Sequence, residues 1–463
     1  MFDKQTYISR RKRLVEKISK GIILMPGNSE ASCNYPGNQY QFRQDSSFLY
    51  FFGLDHPDLA AVIDAESGEE IIFGNDVDID DIIWMGPQPL LSERAAEIGV
   101  ARTAPLAKLD DCLKEALKQG RKVHFLPPYR NHNKIMLHQM LGIAIDGLRE
   151  AASLELIKAV VSLRIVKEAC EIEEIDKACN LGYAMHFTAM KMMKLGMVEQ
   201  ELVGVMEGIC KSGGVMTSFP TILSQRGETL HNHMHDAVLS DGKLCVIDAG
   251  VEIASHYCSD NTRTLPTGGK FTQKQKDIYN IVLAANDYAR EAARPGTSYR
   301  DVHLGASKII VQGLKNLGLI HGDVDEMVAA GVQGLFMPHG LGHNMGLDVH
   351  DMEDLGENYV GYDPDQTRAK QLGLGSLRMA RKLVPGHVIT DEPGIYFIPA
   401  LIEQWKKEGH NAQFIDFAKL ESYYDFGGIR LEDDLLITEK GSRILGTKRL
   451  PITVEEIENT MNS

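Results

Sequence analysis

The segment Met337-Pro-His-Gly-Leu-Gly-His-Asn-Met-Gly-Leu-Asp-Val-His-Asp351 decides how this chain is read. It places His339, His343 and His350 in one short run broken by Gly340, Gly342 and Gly346. Glycine lets a backbone reach positive φ and approach other groups closely, so the run reads as a loop that aims side chains. One histidine there would be structural. Three beside glycines predict a site whose other members lie elsewhere in the chain.

Working outward, four acids stand on or at the ends of apolar strands. Asp241-Gly242 signals a tight turn, and Leu244 to Asp248 follows as a strand with Leu244, Val246 and Asp248 on one face. A second strand around Tyr257 to Leu265 carries Asp260, and the intervening Ala249 to His256 is short enough for a hairpin that returns Asp260 beside Asp248. Beyond the His-rich loop, His387 to Glu392 reads as a strand ending at Pro393-Gly394, because the residue before a proline is pushed to an extended backbone. Gly427 to Asp434 starts another strand, with Arg430 and Glu432 on one face and Ile429 and Leu431 on the other.

Any one of Asp248, Asp260, Glu392 and Glu432 alone is a solvated strand end. Four ionised carboxylates drawn into one interior would repel and resist burial. Two divalent cations cancel them charge for charge, and His343 adds a neutral ligand. Mostly oxygen with one nitrogen suits Mn²⁺, Co²⁺ or Zn²⁺.

The remaining sequence is that of an ordinary globular protein. At 463 residues, two or three domains are expected. Residues 1–157 read as an α/β domain, with strands at Ile22–Met25, Ala60–Ile63, Ile71–Phe73 and Val123–Phe125. Its aromatic stretch Phe42–Phe52 is read as core. No Gly-rich phosphate loop follows these strands. Residues 158–463 open with helical periodicity over Glu168–Lys194 and then carry the strands above. A formal charge of −15 argues against nucleic acid or an anionic membrane as partner. No apolar run reaches the length of a membrane span, and seven scattered cysteines read as buried reduced thiols, so a cytoplasmic protein is expected.

Five motifs in order resemble the metallopeptidase family of methionyl aminopeptidase, aminopeptidase P and prolidase. They are Ile247-Asp-Ala-Gly250 with Ser259-Asp-Asn-Thr-Arg-Thr264, the His loop, Glu392-Pro-Gly-Ile-Tyr396, and Gly428-Ile-Arg-Leu-Glu-Asp433. The resemblance implies an aminopeptidase P-like N-terminal α/β domain and an α+β catalytic domain of pita-bread fold. It also implies metal ligands Asp248, Asp260, His343, Glu392 and Glu432, holding two divalent ions with Mn²⁺ first. Glu392 would also shuttle a proton. His231, His339 and His350 would line the substrate site, and Arg430 would orient nearby carboxylates.

Ser376-Leu-Arg-Met-Ala-Arg381 is similar to the prolidase branch, which implies that Arg378 clamps the C-terminal carboxylate of an Xaa-Pro dipeptide. The alternatives are an Xaa-Pro aminopeptidase acting on longer peptides, and a metal-free binding module on the same fold. Relatives associate, so a homodimer or higher oligomer is implied. Two departures stand out. Asp260 follows Asp248 by twelve residues, one more than the family pattern, and Asp391 replaces an apolar residue before Glu392. Alternation turns Asp391 away from Glu392, so only a mild effect on metal binding is expected. His231-Asn-His-Met-His235 also admits a separate zinc reading, with alternate histidines on one strand face.

Overall fold

The computed structural model describes residues 2–463, which form two compact units. The first runs to Arg164 and includes Glu353–Tyr359; the second comprises Ile165–Met352 and Val360–Ser463. The expected boundary after residue 157 would cut the helix Leu154–Arg164, which stays whole within the first unit.

The first unit is built on a five-stranded sheet, ordered Arg102–Ala104, Glu70–Phe73, Ala60–Asp64, Ile22–Pro26, Val123–His124. Its central pairs are antiparallel and its two edge pairs parallel. Leu24, Val62 and Phe73 on the sheet meet Leu109, Leu113 and Leu137 from helices Lys108–Lys118 and Asn131–Leu141 in one core. The aromatic stretch forms the helix Ser46–Phe52, buried at all seven positions, as its composition predicts. Two buried arginines from the helix Lys4–Lys17 bind its carbonyls, Arg10 to Tyr50 and Arg11 to Phe51.

The second unit pairs the helix Ala169–Met192 with Glu199–Gly213, and Gln273–Ala292 with Tyr299–Asn316. Leu244–Ala249 runs antiparallel between Asn261–Pro266 and Ile222–Ser224, with Asp248 opposite Thr262. Val388–Asp391 pairs with Asp433–Ile437, and Gly394–Tyr396 with Gly428–Arg430. These strands are buried throughout, polar positions such as Thr262, Arg263 and Asp433 included.

The single strand expected over Gly427–Asp434 is divided at Leu431 and Glu432. Its halves serve different partners, and Glu432 at the break exchanges backbone hydrogen bonds with Thr262 instead. The alternation read from that stretch therefore gives no buried and exposed faces: Ile429, Arg430, Leu431 and Glu432 are all buried. The hairpin between Asp248 and Asp260 forms as expected. Its turn holds His256 at φ 67°, and the imidazole Nδ1 lies 2.5 Å from Glu252 Oε1.

Of the seven cysteines expected to be buried, only four are; Cys33 is exposed, and Cys112 and Cys170 are half-buried. Among the described residues, no helix is long and apolar enough to cross a membrane.

Candidate metal centre

Strand ends bring the predicted residues to one place. Asp248 is the penultimate residue of Leu244–Ala249, Asp260 directly precedes Asn261–Pro266, Glu392 follows Val388–Asp391, and Glu432 occupies the strand break. The His-rich loop lies against them. Thr390 N donates to His343 O, and Glu392 N donates to Leu341 O. Gly342 permits this approach, since a Cβ there would come within 2.1 Å of Thr390 O.

A cavity of about 410 Å³ is lined by Asp248, Asp260, His343, Glu392 and Glu432, and equally by His231, His339, His350, Arg378 and Arg430. Phe219, Pro220, Ile222, Leu230 and Val349 give it an apolar side. All ten residues singled out from the sequence thus face one space.

Within it, Asp260, His343 and Glu432 each offer a ligand atom within 4.8 Å of the others. His343 Nε2 lies 3.4 Å from Asp260 Oδ2 and 3.7 Å from Glu392 Oε1. Its Nδ1 sits 3.0 Å from the Asn344 carbonyl. A hydrogen bond donated there leaves the Nε2 lone pair toward the acids, the arrangement of a metal-binding imidazole.

Asp248 is outside that triplet. Its Oδ2 lies 2.6 Å from Arg430 Nη2, while Oδ1 is buried without a hydrogen-bond partner among the described residues, as is Asp260 Oδ1. Burial, and then the charges of the neighbouring acids, push Asp260 and Glu432 well above the ordinary carboxylate range. Buried carboxylate oxygens with no donor facing them, beside an oriented imidazole, fit a divalent cation, which would supply the missing positive charge.

The cationic and phenolic side of the cavity is one network. Arg430 Nη1 donates to Tyr396 OH at 2.7 Å, and His339 Nε2 lies 3.0 Å from the same oxygen. Burial followed by the Arg430 charge takes His339 down to about 3, and burial takes Tyr396 up to about 12. Tyr396, Thr262 and Thr390 had not been singled out by sequence reasoning. Tyr396 and Thr262 stand inside the quoted motifs, but nothing in residue spacing signalled their hydrogen bonds.

One local expectation is corrected. Residues 231–235 form no strand, so the alternate-histidine zinc face does not exist. Instead His233 and His235 turn back toward the carbonyls of Thr221 and Leu223. Asp391, turned away from Glu392 as the alternation predicts, has a fully buried carboxylate, and neither oxygen has a hydrogen-bond partner among the described residues. Burial and the charge of Asp433, its partner across the sheet, push it well above its ordinary value.

Comparison with known proteins agrees with this geometry. The model of metallopeptidase family M24 matches residues 173–439, and that of the aminopeptidase P N-terminal domain matches residues 7–124. The human Xaa-Pro dipeptidase is 33% identical over 473 aligned positions, covering 97% of this chain and 92% of that protein. A probable Xaa-Pro aminopeptidase of Metarhizium acridum is 31% identical, covering 93% and 84%. Among solved structures, Escherichia coli aminopeptidase P with the inhibitor Pro-Leu superposes with a TM-score of 0.82 at 30% identity, covering 100% of this chain and 98% of that one. Pseudomonas aeruginosa aminopeptidase PepP gives 0.80 at 28%, with the same coverage. With one family model spanning more than half of the chain and relatives a third identical along nearly all of it, this protein belongs to metallopeptidase family M24 and carries an aminopeptidase P-type N-terminal domain.

Proposed function

We propose that the chain hydrolyses the peptide bond between an N-terminal residue and a following proline. In this reading two divalent cations, Mn²⁺ first, are held by Asp248, Asp260, His343, Glu392 and Glu432, and Xaa-Pro dipeptides are preferred. The supporting observation is the cavity of about 410 Å³ shared by those five residues and by His231, His339, His350, Arg378 and Arg430. Its size suits a small ligand.

Divalent ions in such a site supply Lewis acidity, acidifying water and polarising a carbonyl. The chain's own residues do the rest. Glu392 keeps 19% of its side chain exposed, whereas Glu432 is 2% exposed. Glu392 is therefore the carboxylate that takes a proton from the attacking water. It hands that proton to the proline nitrogen as the new C–O bond forms and the C–N bond breaks. His231 and His350 line the substrate site, His350 toward the substrate carbonyl. His339 stays neutral at pH 7 and acts as a hydrogen-bonding wall. The Arg378 guanidinium receives a terminal carboxylate as a two-pronged fork.

A second reading, an Xaa-Pro aminopeptidase for longer peptides, is supported by the aminopeptidase relatives. Hydrolysis of Ala-Pro and Ala-Pro-Ala-Ala in Mn²⁺ separates the two. The first reading expects preference for Ala-Pro and a large rise in its KM for Arg378→Ala. Equal cleavage of both peptides, with Arg378→Ala silent, would establish the second.

Self-association is part of the proposal. The helix Ile79–Met85 buries no residue and exposes Ile79, Ile83, Trp84 (85%) and Met85, which supports a homodimer or larger assembly. Sedimentation of the full chain tests it. Cysteines scattered along the chain, four of them buried, support a reducing, cytoplasmic setting.

A further inference from the structure

We propose that Thr262 and Thr390 are positioning residues for the metal centre, each spending its single hydroxyl proton to fix the carboxylate of one glutamate, Glu432 or Glu392. The inference rests on the reading of those glutamates as cation ligands.

A threonine hydroxyl has one proton and two lone pairs, and its direction is set by what else approaches it. Thr262 Oγ1 is approached at 3.3 Å by Arg430 Nε, a group that can only donate. The hydroxyl therefore accepts there, and its own proton goes to Glu432 Oε2 at 2.6 Å. Thr390 repeats the arrangement on the other strand. The backbone N–H of His343 donates to Thr390 Oγ1 at 3.0 Å, which directs the hydroxyl proton to Glu392 Oε1 at 3.2 Å.

Both threonines are fully buried, so water does not compete for either proton. Both are held from behind. Thr262 pairs with Asp248 and bridges the backbone of Glu432, and the carbonyl of Thr390 accepts from Tyr299 OH at 2.7 Å.

β-Branched residues are common in strands for their packing alone. What sets this pair apart is the obligate donor on each hydroxyl, which leaves the proton one destination. Each glutamate thereby has one oxygen committed to the protein, and its carboxylate rotation is fixed, along with the lone pairs left for a cation. At Thr390 the same oxygen also ties down the His343 backbone, so one side chain links two of the residues that would meet the metal.

Calorimetric titration of the metal-stripped full chain with Mn²⁺ tests this. Thr262→Val and Thr390→Val keep the shape and delete the hydroxyl; Thr262→Ser and Thr390→Ser keep the hydroxyl. The valine variants should bind Mn²⁺ about 10–100-fold more weakly, with the stripped protein still unfolding cooperatively, and the serine variants should recover most of the affinity. Valine variants that bind like the parent while Glu392→Ala and Glu432→Ala lose binding would overturn the proposal. Alanine variants of the two glutamates that bind like the parent would overturn the ligand reading instead. If a valine variant does not fold, the alanine and serine variants of the same threonine carry the same comparison.

Discussion

Arg430 stands between Asp248 and Tyr396, its Nη2 2.6 Å from the Asp248 carboxylate and its Nη1 2.7 Å from the phenol oxygen. The guanidinium is 3% exposed. Burial alone would make it easier to deprotonate, but Tyr396 and Asp248 beside it carry its affinity for the proton well above the ordinary value. A fixed positive charge thus shares the balancing of the four acids with the cations the site would hold, and fixes the Asp248 carboxylate through one of its oxygens. Lysine has one point of charge and cannot reach both partners. Arg430→Lys should lower kcat/KM about 100-fold, on the order of 3 kcal/mol, with the fold intact. Steady-state kinetics and circular dichroism on the same preparation check this.

Removing metal should destabilise the protein. Asp260 and Glu432 are both at least nine-tenths buried, and each feels the charges of the acids around it. Returning Mn²⁺ at about 100 times its Kd should stabilise by about 2.7 kcal/mol, a rise of about 4 °C in Tm for a unit of this size. Glu432→Gln should unfold at a higher temperature than the parent without metal, because a like charge is gone, and should gain less from Mn²⁺. Thermal scans with and without Mn²⁺ read both effects.

Asp391→Val should stabilise. The carboxylate is fully buried, lacks a hydrogen-bond donor among the described residues, and stands opposite Asp433 in the sheet. Asp433 has its own partners in Arg263 and Arg449, so it does not depend on Asp391. Removing an unpaired buried polar group should add about 1–3 kcal/mol. Valine also suits a strand. Urea unfolding measures the gain, and Xaa-Pro activity should stay near that of the parent.

Acid should weaken the second unit below about pH 6.5. His303 and His387 are buried, and burial takes each down to about 3. The unfolded chain takes up a proton near pH 6.5 that the folded chain refuses, so stability falls as pH drops from about 6.5 toward 3. For His303, fully buried in the helix Tyr299–Asn316, the loss by pH 5.5 is about 1.4 kcal/mol. His303→Leu should reduce the difference in urea midpoint between pH 7.5 and 5.5; an unchanged difference would exclude this histidine as the cause.

Much of the centre was legible because the chemistry lies in short motifs. A turn signal at Asp241-Gly242 and two apolar strands predict that Asp260 returns beside Asp248, and the antiparallel register does this. Glu392 before Pro393 and the glycines around His343 are equally local signals. The strand break at Leu431 and Glu432 was not legible. It depends on Glu432 finding the backbone of Thr262, 170 residues away in the chain. The loop at residues 231–235 misled for a related reason: alternating histidines imitate a strand, but the acceptors that hold His233 and His235 lie in a neighbouring segment.

The sequence alone, through its motifs and their family resemblance, determined which side chains to look for in one cavity, their order, and that four acids with one histidine need positive charge between them, because residue type and motif order are local properties. Only the tertiary structure decided which acid Arg430 neutralises, which hydroxyl holds each glutamate, and that Asp391 is buried without a partner. Those outcomes depend on distances between strands far apart in the chain, and a hydrogen bond is gained or lost within a few tenths of an ångström.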